Sequence, residues 1–187
     1  MLQLAAMLAM LVIPAKAGGP FVLFPQAAEL VSPDKHFSVR NVDAGDPGSA
    51  FVGTFHSLWL TDLSTKQSRK LCDYVGIAAV AWSRSDLVLV TQYLSNKSSR
   101  VLVFPVAPAL DPLLLDQPGG TQMIPVELRD TLRQNDHVFI EASRVDDAIL
   151  YLTVWGYGRH DVNGFRWACQ YGIREGSLTC KSQRSAK

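Results

Sequence analysis

The residues best suited to metal binding or acid–base catalysis in this sequence are three histidines, His56, His137 and His160. Asp136 and Asp161 adjoin two of them, so the set contains the groups of a metal centre or an acid–base pair. No two of these histidines lie within a helical turn or a strand repeat of one another, so they would act together only if the fold joined separate strand ends. The alternative, which the spacing favours, is that each bonds to backbone groups at a loop or strand edge.

A second candidate is the loop Gly156–Gly164, which carries Tyr157, Arg159 and His160. It is no dinucleotide fingerprint, because no helix follows Gly156-Tyr157-Gly158 to present its N-terminus to a phosphate. Loops at the ends of sheets often carry binding residues. We therefore expect any binding edge to include Tyr157, Arg159 and His160.

Other chemical motifs are missing from the sequence. The stretch Asp43–Gly48 lacks the alternating acids and the distal bidentate glutamate of a calcium loop. There is no Gly-x-Ser-x-Gly elbow, and the serines cluster in turns without a neighbouring base. We therefore predict no cofactor, no metal and no intrinsic catalysis; the competing hypotheses are a metal- or histidine-dependent hydrolase and a small-ligand carrier.

The three cysteines, Cys72, Cys169 and Cys180, match no zinc spacing. Cys169 and Cys180 flank an expected hairpin, and a two-residue turn at Arg174-Glu175 would place them opposite each other. In an oxidising compartment they could form a disulfide, and the alternative is two unpaired thiols on a frayed strand. Cys72 is expected to be buried and inert.

Composition predicts one folded domain. The chain has 187 residues, 48% of them apolar, with 19% charged residues and a mean hydropathy of +0.09. Such a chain can bury a core and is too hydrophobic for intrinsic disorder. Its formal net charge is +1. A nearly neutral domain has no overall field to attract nucleic acid, so we expect no nucleic-acid partner.

The N-terminal residues 1–17 resemble a secretory signal peptide. Leu4–Ile13 is an apolar run too short to span a bilayer comfortably, and Ala15-Lys16-Ala17 supplies small residues at −3 and −1. The alternative is a buried N-terminal helix. We expect a periplasmic or secreted protein with one domain at residues 18–180, a disordered basic tail at 181–187 and no membrane span.

Alternating apolar residues and polar turns predict three consecutive strand-rich units. Leu87–Tyr93 is apolar enough for burial on both faces, and Pro125–Asn135 has the spacing of one short helix. Trp59, Trp82 and Trp155 lie inside apolar strands and are expected in the core, the alternative being an aromatic binding surface that includes Trp167. The expected strands are 21–24, 36–42, 55–63, 67–72, 77–82, 87–93, 100–106, 138–142, 149–155, 165–173 and a last one around residue 178.

The turns carry a resemblance to a known repeat. Ser32-Pro33-Asp34 before a strand, Leu58-Trp59-Leu60-Thr61-Asp62-Leu63-Ser64-Thr65 before Arg69-Lys70-Leu71, and Val80-Ala81-Trp82-Ser83 are similar to bacterial β-propeller repeats. These are the repeats of TolB-like translocation proteins and of prolyl-oligopeptidase-type propeller domains. Lys35 departs from the pattern, since it stands where that family usually has glycine. The similarity covers residues 32–106 best.

A broader similarity is to small exported bacterial proteins of unknown function. It rests on His56-Ser57-Leu58, Asn135-Asp136-His137-Val138 and Trp155-Gly156-Tyr157-Gly158. The two resemblances together imply an all-β, propeller-like domain that serves as a binding or scaffold module with a protein partner in the cell envelope. Three blade-like units are fewer than the four to eight of a closed propeller. We expect an open stack of sheets, the alternative being protomers that complete one another.

Overall fold

A computed structural model describes residues 21–43, 55–83, 86–107, 113–115, 126–146, 148–173 and 175–183. The predicted signal peptide lies outside these residues. Within them the chain forms thirteen strands and one helix. In chain order the elements are β1 (Val22–Phe24), β2 (Glu29–Val31), β3 (Phe37–Asp43), β4 (Phe55–Asp62), β5 (Ser68–Val75), β6 (Ala78–Ser83), β7 (Leu87–Tyr93), β8 (Ser99–Pro105), β9 (Leu113–Leu115), α1 (Val126–Gln134), β10 (His137–Asp146), β11 (Ile149–Tyr157), β12 (Phe165–Gly172) and β13 (Ser177–Ser182).

The strands form three antiparallel sheets. The first sheet has the order β2-β3-β4-β5, the middle sheet β1-β6-β7-β8-β9, and the third sheet β10-β11-β12-β13. Apart from β1, neighbouring strands in each sheet are consecutive in the chain, so each sheet is a meander built by short local turns. None of them closes on itself, and the architecture is therefore an open, propeller-like stack.

The middle sheet has a core on each of its faces. On one face Val88 and Val90 pack with Leu58 and Val39 of the first sheet. On the other face Leu89 packs with residues of the third sheet. Because side chains alternate along a strand, β7 must be apolar at consecutive positions to fill both cores. The prediction that Leu87–Tyr93 is buried on both faces is confirmed.

The helix α1 covers part of the core between the middle and third sheets. Leu128 and Leu132 are one helical turn apart, and both are buried in that core. Arg133 lies in the last turn, where a positive charge is favourable beside the unpaired carbonyls. The predicted helix at Pro125–Asn135 is therefore confirmed as α1.

The turn before β3 is closed by two hydrogen bonds to the Asp34 carboxylate. Ser32 Oγ donates to Asp34 Oδ1 at 2.6 Å, and the His36 amide donates to the same oxygen at 3.1 Å. Lys35 has a φ of 62°, which is the left-handed conformation that favours glycine. Lysine thus occupies a backbone conformation that glycine adopts at lower cost.

Several local expectations differ from the structure. The three-residue strands β2 and β9 were not predicted, because segments this short show little periodicity. Trp82 is buried as expected, whereas Trp59 and Trp155 are only half-buried. Lys181 and Ser182, which the sequence places in the basic tail, belong to β13.

The all-β prediction with one short helix is confirmed by the described part of the chain. Within that part, no helix is both long and apolar enough to cross a bilayer.

Candidate functional site

The predicted binding loop begins at a stacked aromatic pair. His137 of β10 and Tyr157 of β11 are direct cross-strand partners, with ring centroids 4.3 Å apart and planes 12° from parallel. Asp136 Oδ1 lies 3.5 Å from His137 Nδ1. Its own backbone amide, and then the nearby His137, hold the pKa of the Asp136 carboxyl below its usual range. The pair places an aromatic surface beside a carboxylate at the end of the third sheet.

The rest of this loop is fastened to the end of α1 by Asn135. The buried Asn135 side chain donates to Asp161 Oδ2 at 2.8 Å and to the Thr131 carbonyl at 2.8 Å, and it accepts from the Asp161 amide at 3.2 Å. A Cβ at Gly158 would lie 2.8 Å from Asn135 Oδ1 and 2.9 Å from the backbone Cα of Asn135, so a larger residue there would have to displace Asn135. This fastening presents Arg159 and His160 to solvent.

Two more ring contacts follow along the same strands. Phe139 and Trp155 stack at 4.3 Å, and the Arg144 guanidinium lies 4.2 Å above the Tyr151 ring. Arg144 Nε is also 3.3 Å from Asp146 Oδ2, which fixes the guanidinium over the ring. We call the three contact pairs the outer stripe, because they lie on the face of the third sheet opposite its core; its members are His137, Tyr157, Phe139, Trp155, Arg144 and Tyr151.

A shallow groove continues this face across β12 and β13. It has a volume of about 420 Å³, and Tyr151 of the outer stripe forms one wall. Lys181 is the single charged side chain among its lining residues. We call it the outer groove; the other polar side chains that line it are Ser143, Thr153, Gln170, Thr179 and Gln183.

His56 lies in a different environment, on the first sheet. Its Nδ1 is 2.8 Å from Asp43 Oδ1, and its ring stacks on Tyr74 at 5.1 Å. Tyr74 donates to Asn41 Oδ1 at 2.5 Å, and Asn41 donates to Asp43 Oδ1 at 3.2 Å. Burial, and then the Asp43 charge, raise the pKa of Tyr74. His56 is thus one member of a polar network that joins β3, β4 and β5.

The three candidate histidines therefore have separate surroundings. His56 belongs to the first sheet and His137 to the third, with the middle sheet between them, and His160 is exposed. No three His, Cys, Asp or Glu side chains within the described ranges are grouped so that they could hold a metal ion. Chemistry that needs His56, His137 and His160 at one point has no geometric support here.

The cysteines occupy two environments. Cys169 and Cys180 are register partners of β12 and β13 and form a disulfide. Cys72 is a free thiol, and it is half-buried rather than fully buried as expected. It accepts a hydrogen bond from Gln92 Nε2 at 3.1 Å, and burial raises the pKa of its thiol to about 11.

A second polar cluster, which no sequence motif predicts, surrounds Gln92. The Gln92 side chain is 2% exposed; it donates to the Asp73 carbonyl at 3.0 Å and accepts from Arg100 Nε at 2.7 Å. A cleft of about 180 Å³ opens beside it, between the first and middle sheets. The sequence feature that points to this cluster is Gln92 itself, a glutamine inside the apolar run Leu87–Tyr93, since a buried polar side chain needs hydrogen-bond partners.

No protein-family model matches the chain, and comparison with curated proteins and with solved structures finds no significant similarity. The resemblance to TolB-like and prolyl-oligopeptidase-type repeats therefore rests on the turn motifs themselves.

Proposed function

We propose that this protein is an exported binding or scaffold module of the cell envelope, with a protein partner and without catalysis of its own. The observation that carries the proposal is the outer stripe together with the outer groove. These two features give the outward face of the third sheet paired aromatic rings, the Arg144 guanidinium over the Tyr151 ring, and a groove lined by neutral polar groups and Lys181.

The composition of this face suits a protein partner. Tyrosine, tryptophan and arginine are enriched at protein interfaces and carry much of their binding energy. Here Tyr157, Trp155 and Arg144 are each held by a neighbouring ring, so ordering them on association costs little further entropy. A partner that covers the stripe would find these side chains already positioned.

Export is supported by two independent features. The first is the signal-peptide pattern at residues 1–17. The second is the disulfide between Cys169 and Cys180, a bond that persists mainly in oxidising compartments. A periplasmic or secreted location accounts for both.

Site-specific photo-cross-linking in cells tests the proposal. A photoreactive amino acid would replace Gln170, which lines the outer groove, and in a matched control it would replace Thr65, an exposed turn residue of the first sheet. We expect a discrete envelope protein, identified by mass spectrometry, to cross-link from position 170 and not from position 65. Equal products from both positions, or none from position 170, would contradict the proposal.

Substitutions on the stripe provide a second arm. Tyr157→Ala and Arg144→Ala remove one stacking partner each while leaving the core residues in place. Both changes should weaken the cross-link from position 170 with circular dichroism unchanged. A cross-link of undiminished yield in both variants would show that the partner does not use the stripe.

A further inference from the structure

The geometry points to a second binding site, in the cleft between the first and middle sheets, for a small carboxylate with an apolar body. The cleft lies where the start of β4, the end of β5, the end of β7 and the start of β8 meet. Its lining residues are Phe55, Asp73, Tyr74, Val75, Gln92, Tyr93, Leu94 and Arg100. This site is separate from the outer face of the third sheet and does not depend on the proposed function.

Arg100 is the residue that would bind the carboxylate. Its Nε–H donates to Gln92 Oε1 at 2.7 Å, and Gln92 is itself fixed by donating to the Asp73 carbonyl and the Cys72 thiol. Within the described residues, Gln92 is the only hydrogen-bond acceptor that Arg100 contacts. The two terminal amino groups of the guanidinium therefore remain available, and a planar fork of N–H groups matches a carboxylate.

The charge of the cleft favours an anion. Asp73 also lines it, but Lys70 Nζ is 2.6 Å from Asp73 Oδ2 and Ser57 Oγ donates to Asp73 Oδ1 at 2.6 Å. Lys70, and then Ser57, hold the pKa of Asp73 below its usual value, so this carboxylate is ionised and its charge is already balanced. Asp73 and Arg100 are the two charged side chains that line the cleft, and Arg100 forms no ion pair with a described residue.

The other walls are apolar or aromatic. Phe55, Val75 and Leu94 provide hydrocarbon surface, and the rings of Tyr74 and Tyr93 add to it. The Tyr93 hydroxyl donates to Glu141 Oε1 at 3.1 Å, and burial, followed by Glu141, raises the pKa of Tyr93 to about 12. Tyr93 therefore stays neutral at physiological pH, and its ring serves as a wall.

The size of the cleft limits the ligand to one small group. A volume of about 180 Å³ accommodates a single side chain with its carboxylate and excludes a folded macromolecule. Two sources supply this chemistry, a free organic acid with an aromatic or branched body and the C-terminal residue of a peptide. Both present a carboxylate to Arg100 and an apolar group to Phe55 and Leu94.

Nuclear magnetic resonance titration of the full-length protein tests this inference. The probes are N-acetylphenylalanine, its uncharged amide N-acetylphenylalaninamide, and the peptide Gly-Gly-Gly-Phe with a free C-terminus. We expect the acid to shift the Arg100 Nε–Hε resonance and to bind at least about tenfold more tightly than the amide, as loss of a charge-assisted hydrogen bond implies. Binding by the peptide as well would identify a chain terminus as an accepted source, and binding by the acid alone would identify a free acid.

Arg100→Lys keeps the charge but removes the fork, so the affinity for the acid should fall about tenfold. Arg40→Lys is the matched control, since Arg40 is an exposed arginine of the first sheet outside the cleft. The affinity of this variant for the acid should equal that of the unmodified protein. The acid–amide comparison uses the unmodified protein and stays informative if Arg100→Lys fails to fold. Equal affinity for acid and amide, or no shift of the Arg100 resonance at millimolar acid, would overturn the inference.

Discussion

The Ser99 hydroxyl and the Ile140 backbone form a reciprocal pair of hydrogen bonds between the middle and third sheets. Ser99 Oγ donates to the Ile140 carbonyl at 2.7 Å and accepts from the Ile140 amide at 2.8 Å. Ser99 is fully buried, so one side chain satisfies both backbone groups of a residue on another sheet. β10 is an edge strand of the third sheet, so the outward backbone groups of Ile140 have no partner strand there, and Ser99 supplies their hydrogen bonds instead.

Replacing that hydroxyl should be costly. Ser99→Ala leaves the amide and the carbonyl of Ile140 without a partner away from water, and we expect the free energy of unfolding to fall by about 2–3 kcal/mol. Urea denaturation followed by circular dichroism measures the change. Ser143→Ala is the control, because its hydroxyl donates to the Tyr151 carbonyl at an exposed position, and it should cost no more than about 0.5 kcal/mol. Equal losses in the two variants would contradict this explanation.

Lys35→Gly should stabilise the fold. The left-handed conformation at Lys35 costs a residue with a Cβ about 1–2 kcal/mol of folding free energy. Glycine avoids this cost, but it loses about 0.5–1 kcal/mol because its unfolded chain has more conformational freedom. The expected gain is about 0.5–1 kcal/mol, measured as a rise in melting temperature. Lys70→Gly is the control within strand β5, where the same change should lower the melting temperature. A lower melting temperature for Lys35→Gly would show that the Lys35 side chain has a role of its own.

The disulfide should account for a large share of the stability of the third sheet. Cys169 and Cys180 are 11 residues apart, and closing a loop of that length in the unfolded chain is worth about 2–3 kcal/mol. Cys180→Ser, or reduction of the native protein, should lower the free energy of unfolding by that amount in urea titrations. A reducing agent should have no further effect on Cys180→Ser. If reduction leaves the unmodified protein as stable as before, the bond does not constrain the unfolded chain.

Local patterns predicted much of the fold, and long-range pairings were beyond them. The continuous apolar run within 87–93 indicates a strand that is buried on both faces, and the spacing of Leu128 and Leu132 indicates a helix with one buried face. The pairing of β1 with β6 is different, since it joins Val22 to Val80 although the whole first sheet, β2 to β5, lies between them in the chain. Nothing in a three-residue segment specifies so distant a partner.

The same distinction holds for the sites. The loop with Tyr157, Arg159 and His160 could be singled out by its glycines and its place after a strand. The stacking of His137 on Tyr157 depends on the register between β10 and β11. A bulge between Ala142 and Arg144 shifts that register. The cleft at Arg100 forms only where the first and middle sheets pack against each other, and no sequence motif predicts that packing.

Alkaline pH should destabilise the protein through Cys72. The pKa of its thiol is raised from about 9 to about 11 by burial, so the folded state holds this proton over a range in which the unfolded state has lost it. The stabilisation from Cys72 is unchanged below pH 9 and falls as the pH rises from about 9 to about 11, by about 2 kcal/mol in total. Urea titrations at a series of pH values measure this decline.

Two further measurements assign the decline to this thiol. The pKa of Tyr93 is raised to about 12, so Tyr93 lowers the free energy of unfolding only above pH 10, the ordinary pKa of tyrosine. Between pH 9 and 10 the free energy of unfolding of Cys72→Ala should therefore decline less than that of the unmodified protein. At pH 8 the folded protein should react with iodoacetamide at Cys72 about 100-fold more slowly than the unfolded chain, since its thiolate fraction is smaller by that factor. A folded protein that is alkylated as fast as the unfolded chain, or a Cys72→Ala variant with an unchanged pH profile, would show that Gln92 and the surrounding strands do not shield this thiol.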